Sequence, residues 1–155
     1  MTKKINEEFL KAYRFATEQC GHLWNDKADE PWIAHSLRVS GRCWEMFGEA
    51  EQVVGMLHDV LEDTNPLETL PKLQELFSPC IVNSVIALTH CEGESYNDYI
   101  SRLCGNGIAR RVKAADLIDN MNLNRLGVVN ADDARRQVKY AKALNKILGI
   151  YIGQC

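Results

Sequence analysis

The chain has 155 residues and a mass of 17.6 kDa, enough for one buried core and too little for two ordinary domains. Hydrophobic residues make up 46% of it and charged residues 25%, a globular balance that excludes a disordered tail or a fibre. Its 18 Lys and Arg against 21 Asp and Glu leave a net charge of -3, with no basic surplus to displace counterions from a nucleic acid.

Apolar residues recur at helical intervals almost throughout, while alternating β-branched or aromatic runs are nearly absent, so the expected fold is all-α. The first helix is predicted over 6–19, with Phe9, Leu10, Tyr13 and Ala16 on its inner stripe, followed by a polar loop over 25–30. Pro31 suits the first turn of a second helix, 31–48, which runs through Ile33, Leu37, Val39 and Trp44. A third, 49–63, is the most apolar and is closed by Thr64, Asn65 and Pro66. Helices over 67–77 and 80–90 follow, then a short one capped by Ser95 that runs through Tyr96, Tyr99, Ile100 and Leu103 to a stop at Gly105, Asn106 and Gly107. Two more, 112–123 and the long amphipathic 131–151, complete a bundle of about seven to eight helices, read as a single domain over 1–155.

Neither the start of the chain nor any later stretch has the uninterrupted apolar run that secretion or membrane insertion requires. The cysteines, at 20, 43, 80, 91, 104 and 155, contain no C-x-x-C pair and no zinc-type spacing. They read as mostly buried small hydrophobes in a cytoplasmic protein.

The densest chemistry lies at the end of the third helix. His58 and Asp59 are adjacent there, and Glu62 and Asp63 come one helical turn later, among Val53, Val54, Met56, Leu57, Val60 and Leu61. Carboxylates at a helix C-terminus oppose its dipole, so the segment is either a solvated acidic turn or the flank of a bound cation. His35 in IAHSLRVS and Asp116 in VKAADLIDNM are further polar residues in apolar surroundings. Either alone reads as a hydrogen-bonded core residue, but two imidazoles and two carboxylates from separate helices suit one divalent ion of intermediate hardness. Manganese and ferrous iron are both of this kind, zinc is less natural for so mixed a set, and magnesium is a further alternative.

The order His35, His58 with Asp59, then Asp116, resembles the HD superfamily of metal-dependent phosphohydrolases. The strings EPWIAHSLRVS, GMLHDVLEDT, IALTH and VKAADLIDNM are similar to the hydrolase domain of RelA/SpoT proteins and their small single-domain relatives, over residues 13–140. Members of that family are helical and remove the 3'-pyrophosphate from (p)ppGpp with a bound manganese ion. The resemblance implies that His35, His58, Asp59 and Asp116 are the metal ligands, that Glu62 and Asp63 are the catalytic acidic pair, and that Asn120 contacts the nucleoside. Lys113 shares the face of Asp116 and reads either as a site residue or as a surface lysine. Arg38, one turn from His35, is placed to reach a phosphate or a carboxylate. Arg136 and Tyr140, four residues apart, resemble phosphate and nucleotide contacts of the small homologues, though bundle packing has the same spacing. His22, His90, Trp24, Trp32 and Trp44 read as structural or rim residues.

The loop before E-P departs from the family. A basic pair is usual there, with an arginine stacked on guanine, whereas this chain has Lys27 beside Asp26 in a loop one residue longer; the histidine usual near Cys20 is also absent, with His22 displaced. Aspartate offers no cation face to a base. The expected ligand is therefore a small nucleotide, with no nucleic-acid or membrane partner. The expected activity is (p)ppGpp pyrophosphohydrolysis, with two alternatives: hydrolysis of another nucleotide or dinucleotide phosphate, or regulatory binding without turnover.

Overall fold

Asn6 accepts the backbone N–H groups of Glu8 and Phe9 and so starts α1 (Glu7–Cys20), the first helix of a computed structural model that describes residues 6–152. Residues 1–5 and Cys155 lie outside the described residues. Two two-residue strands, β1 (Trp24–Asn25) and β2 (Glu30–Pro31), then pair antiparallel with Trp24 opposite Pro31. They are followed by α2 (Trp32–Met46), α3 (Glu49–Leu57), α4 (Pro66–Leu76), α5 (Pro79–Leu88) and α6 (Tyr96–Leu103). The order closes with α7 (Gly107–Asn120), a 3-10 turn at Leu123–Arg125, and α8 (Ala131–Ile152). The all-α expectation is met by these eight α-helices, and no described helix is long and apolar enough to cross a membrane.

α3 is the central element. It packs on α1, α2, α5 and α7, and Val53, Val54, Met56 and Leu57 are all buried. Burying such a side chain contributes about 1.5–3 kcal/mol, so this short helix is held by its surroundings more than by its own propensity. The main core joins it to Phe15, Val39, Leu73, Val85 and Val112. A second cluster, with Tyr99, Ile100, Leu103, Leu117, Ala143 and Ile147, fastens α6 and α8 to α7. α7 thus faces both cores, which places Asp116 between them.

Five local expectations are corrected. The third helix ends at Leu57, and 58–63 tighten into turns in which Val60 N–H bonds to the Leu57 carbonyl and Glu62 N–H to that of Asp59. Tightened turns satisfy C-terminal carbonyls while letting His58, Val60 and Leu61 turn inward and Glu62 and Asp63 outward. The polar loop contains the two short strands, with Asp29 at φ 49° between them. The helix expected from 112 begins at Gly107, because the Asn106 side chain caps it through Ala109 N–H. Tyr13, expected on the inner stripe of α1, is 37% exposed. Among the cysteines, Cys20 and Cys43 are buried, and burial pushes their thiols up to about 12, but Cys80 and Cys91 are exposed.

The crossing of α2 and α3 depends on Gly55. A Cβ there would stand 3.1 Å from Ser40 Cα, 3.3 Å from Ser40 N and 3.3 Å from Cys43 Sγ. Ser40 Oγ also donates across the crossing to the Gln52 carbonyl at 2.8 Å. Gly55→Ala is expected to lower stability by about 1–2 kcal/mol in urea unfolding. Overpacking against backbone costs about 1–3 kcal/mol, only partly offset by the ~1 kcal/mol helix preference of Ala. An unchanged or raised midpoint would show that the two helices tolerate separation.

Candidate functional site

α2, α7 and the turn after α3 converge at one point. His35 comes from the first turns of α2, His58 and Asp59 from the turn, and Asp116 from the middle of α7. The ring centroids of His35 and His58 are 5.2 Å apart, and ligand atoms of His35, His58 and Asp59 all lie within 4.8 Å of one another. Asp116 Oδ1 is 3.0 Å from His35 Nε2 and 3.7 Å from His58 Nε2. Asp59 Oδ2 is 3.1 Å from His58 Nε2 and 3.8 Å from His35 Nε2. The four residues singled out as ligands are therefore gathered in space.

Both imidazoles are oriented by their other nitrogen. His35 Nδ1 donates to Asp119 Oδ2 at 2.7 Å, and His58 Nδ1 donates to the Gly55 carbonyl at 2.8 Å. In the neutral tautomer that these bonds select, each Nε2 presents a lone pair toward the carboxylates. His58 Nε2 is buried without a hydrogen-bond partner. Two ring nitrogens facing two carboxylates need positive charge among them, a proton on each ring or a cation in their place, and the donor set of two nitrogens and two oxygens fits a divalent one. Burial alone would lower an imidazole's pKa; here the surrounding carboxylates outweigh it, and both histidines are raised. Burial likewise opposes charge on Asp116, but Lys113 and the two histidines hold its carboxyl well below the usual range.

Glu62 and Asp63 border the same cavity, about 460 Å³ in volume, which His35, Asp59, Lys113 and Asp116 also line. Glu62 Oε1 accepts the His90 backbone N–H at 2.6 Å, and Asp63 Oδ2 accepts the Trp32 indole N–H at 2.5 Å. Burial raises the pKa of both carboxyls. Lys113 donates to Asp116 Oδ2 at 2.7 Å and lies 5.3 Å from the centre of the Tyr99 ring. Asn120 donates to Asp116 Oδ1 at 2.6 Å and accepts from Arg125 at 2.8 Å.

An adjoining cavity of about 350 Å³ shares Asn25, Asn120 and Arg125 with the first and gathers Lys27, Arg136 and Tyr140. Lys27 is ion-paired there with the buried Asp133. Arg38 lines neither cavity. Of its two sequence alternatives it takes the carboxylate one, reaching Glu30 through two bonds of 2.7 Å and Asp119 through bonds of 2.9 and 3.1 Å. His22 is exposed, and His90 takes part through its backbone while its ring rests 5.0 Å from that of Tyr99.

Sequence reasoning missed Asp119, Glu30 and Arg125. Asp119, 1% exposed, is the carboxylate that orients His35, and hydrogen bonds from His35 and Arg38 overcome the effect of burial to depress its pKa to about 2. Its signal was present in VKAADLIDNM, as a second acid three residues after Asp116 on an apolar helix. Glu30 and Arg125 acquire their partners only through folding. Asp119→Asn is expected to weaken metal affinity by about 10–100-fold in a chelator competition while the far-UV spectrum is retained. Wild-type affinity in that variant would remove Asp119 from the site.

No protein-family model matches the chain. A GTP pyrophosphokinase of Myxococcus xanthus is 41% identical over 64 residues, which are 41% of this chain and 8% of that protein, so the match spans a small part of the relative's length. A solved structure, that of a metazoan ortholog of SpoT that hydrolyzes ppGpp, superposes with a TM-score of 0.77 over 95% of this chain and 88% of that one, at 19% identity. The chain shares that protein's fold.

Proposed function

We propose that this chain is a metal-dependent nucleotide phosphohydrolase whose favoured substrate is (p)ppGpp, cleaved at the 3'-pyrophosphate. The observation that carries the reading is the pair of oriented imidazoles whose Nε2 atoms converge with Asp59 and Asp116. The fold shared with a ppGpp-hydrolyzing protein and the short match to a GTP pyrophosphokinase support the same substrate class.

His35, His58, Asp59 and Asp116 would hold one divalent ion, with manganese favoured by the mixed nitrogen and oxygen donors. Such an ion supplies Lewis acidity toward phosphoryl oxygens and makes a water easier to deprotonate. The chain's own residues do the rest. Glu62, with a carboxyl pKa raised by burial, is suited to take the proton of the attacking water, and Asp63 orients that water from the next position. The new bond joins water oxygen to phosphorus as the bond to the ribose 3'-oxygen breaks, releasing pyrophosphate. Lys113 offsets the negative charge beside Asp116, and Asn120, Lys27, Arg136 and Tyr140 line the space that receives the nucleotide.

A second reading keeps the chemistry and changes the base. Asp26 is exposed on the wall of the metal cavity, where the resembling family carries an arginine, and a carboxylate favours an edge-on hydrogen bond to a base amine over stacking. A panel of guanosine and other nucleotides bearing 3'- or terminal phosphates, assayed with manganese for phosphate or pyrophosphate release, separates the readings. Release of pyrophosphate from the guanosine 3'-diphosphates above all others is the expected result. Preference for another base supports the second reading, and binding without release under several metals would sink both in favour of a regulator.

A further inference from the structure

The seam between α6 and α8 contains another depression, about 410 Å³ in volume, that shares no lining residue with the two cavities of the candidate site. Ile100 and Ala143 form a buried floor, and Val138, 56% exposed, stands on one side. The rim is cationic. Arg135, Lys139, Lys142 and Lys146 follow at spacings of four, three and four residues, so they occupy one face of α8, and among the described residues no acidic side chain lines the groove. In a chain of net charge -3 this concentration is local and is not a consequence of composition.

Two of the cations are built into the groove. Lys146 Nζ crosses to α6, where it donates to Asn97 Oδ1 at 2.8 Å and to Ser101 Oγ at 2.5 Å. Lys139 Nζ sits 3.9 Å from the centre of the Tyr96 ring. Arg135 also reaches Asp132, which is not a lining residue. Like charges one turn apart on a helix repel, and partial burial of the otherwise exposed Lys139 disfavours its ammonium, as do Lys113 and Arg136 from outside the groove. An anion in the groove would relieve that crowding. The Tyr96 ring lines the groove, while its hydroxyl is buried and has no hydrogen-bond partner among the described residues.

We propose that this groove is a second binding site for a compact phosphorylated molecule with an apolar or planar body, a nucleotide being the type case. The body would lie on Val138, Ile100 and the Tyr96 ring, and the phosphates would meet Lys139 and Lys142. The volume is that of a small-molecule site, and an apolar floor under a cationic rim matches the two halves of such a ligand. The groove uses none of the residues assigned to hydrolysis, so ligand binding there does not depend on that activity.

The test is a titration of the full chain with a fluorescent GTP analogue in EDTA, where cation-dependent binding is silent. Saturable binding is expected, weakened roughly tenfold or more by Lys142→Glu and by Lys139→Glu, both at exposed positions, and within twofold of wild type in the cleft variant Lys27→Gln. Lys142→Gln, which removes the charge without reversing it, should give an intermediate loss and serves if a reversal perturbs folding. Absence of saturable binding, loss in Lys27→Gln alone, or equal competition by a poly-glutamate peptide would overturn the proposal.

Discussion

Asp59→Asn is expected to abolish metal binding and to reduce turnover by roughly three orders of magnitude or more, the equivalent of several kcal/mol of lost transition-state stabilisation. The substitution keeps the shape of the side chain and removes its charge. Asp59 Oδ2 stands 3.1 Å from a buried His58 Nε2 that has no hydrogen-bond partner. An amide placed there can donate to that nitrogen, so the metal-free variant should be at least as stable as the wild type. Thermal unfolding with and without manganese therefore reads the site without using activity. A ligand that binds only the folded state raises the wild-type midpoint by mass action and leaves that of the variant unmoved. An equal shift in both proteins would mean that the ion sits elsewhere. His58→Ala is the less informative variant, because the ring is 2% exposed and its Nδ1 satisfies the Gly55 carbonyl. That loss combines with a cavity cost of about 2–5 kcal/mol.

Glu62→Gln is expected to leave metal affinity within a few fold of wild type and to lower kcat by about 10²–10⁴, the usual contribution of a positioned general base, with KM little changed. The amide oxygen can still accept the His90 backbone N–H, so the local structure survives the change. The wild-type rate should rise with pH until Glu62 is deprotonated, and burial places that rise above the ordinary carboxylate range. The limb should vanish from the residual activity of the variant. A retained limb with unchanged turnover would move the proton transfer to Asp63 or to solvent.

The contrast between Asp116 and Asp119 shows how far the sequence is readable at the candidate site. Both are acids on the apolar face of α7, three residues apart. Asp116 is conspicuous because it completes a set with two histidines and another aspartate. Asp119 has no such set in one dimension, since its partners, His35 and Arg38, are more than 80 residues away. Arg38 was ambiguous for the same reason: a guanidinium is equally apt for phosphate and carboxylate, and only folding brings Glu30 and Asp119 to it. The end of α3 was misread by six residues because the apolar pattern continues through Val60 and Leu61, and periodicity does not distinguish a continuing helix from tightened turns that bury the same side chains.

Helix content, the approximate limits of most elements and the chemically unusual residues were set by the sequence alone, because period, caps and breakers act within a few residues of each other. Which of those residues meet was decided by the tertiary structure. Gly55 lets α2 approach α3, and that approach sets the geometry by which His35 reaches His58. The groove between α6 and α8 depends on the same kind of fact, for the cationic face of α8 is visible in the sequence but the wall opposite it is not. Contacts between distant segments follow from how packed surfaces fit, and no local pattern encodes that fit.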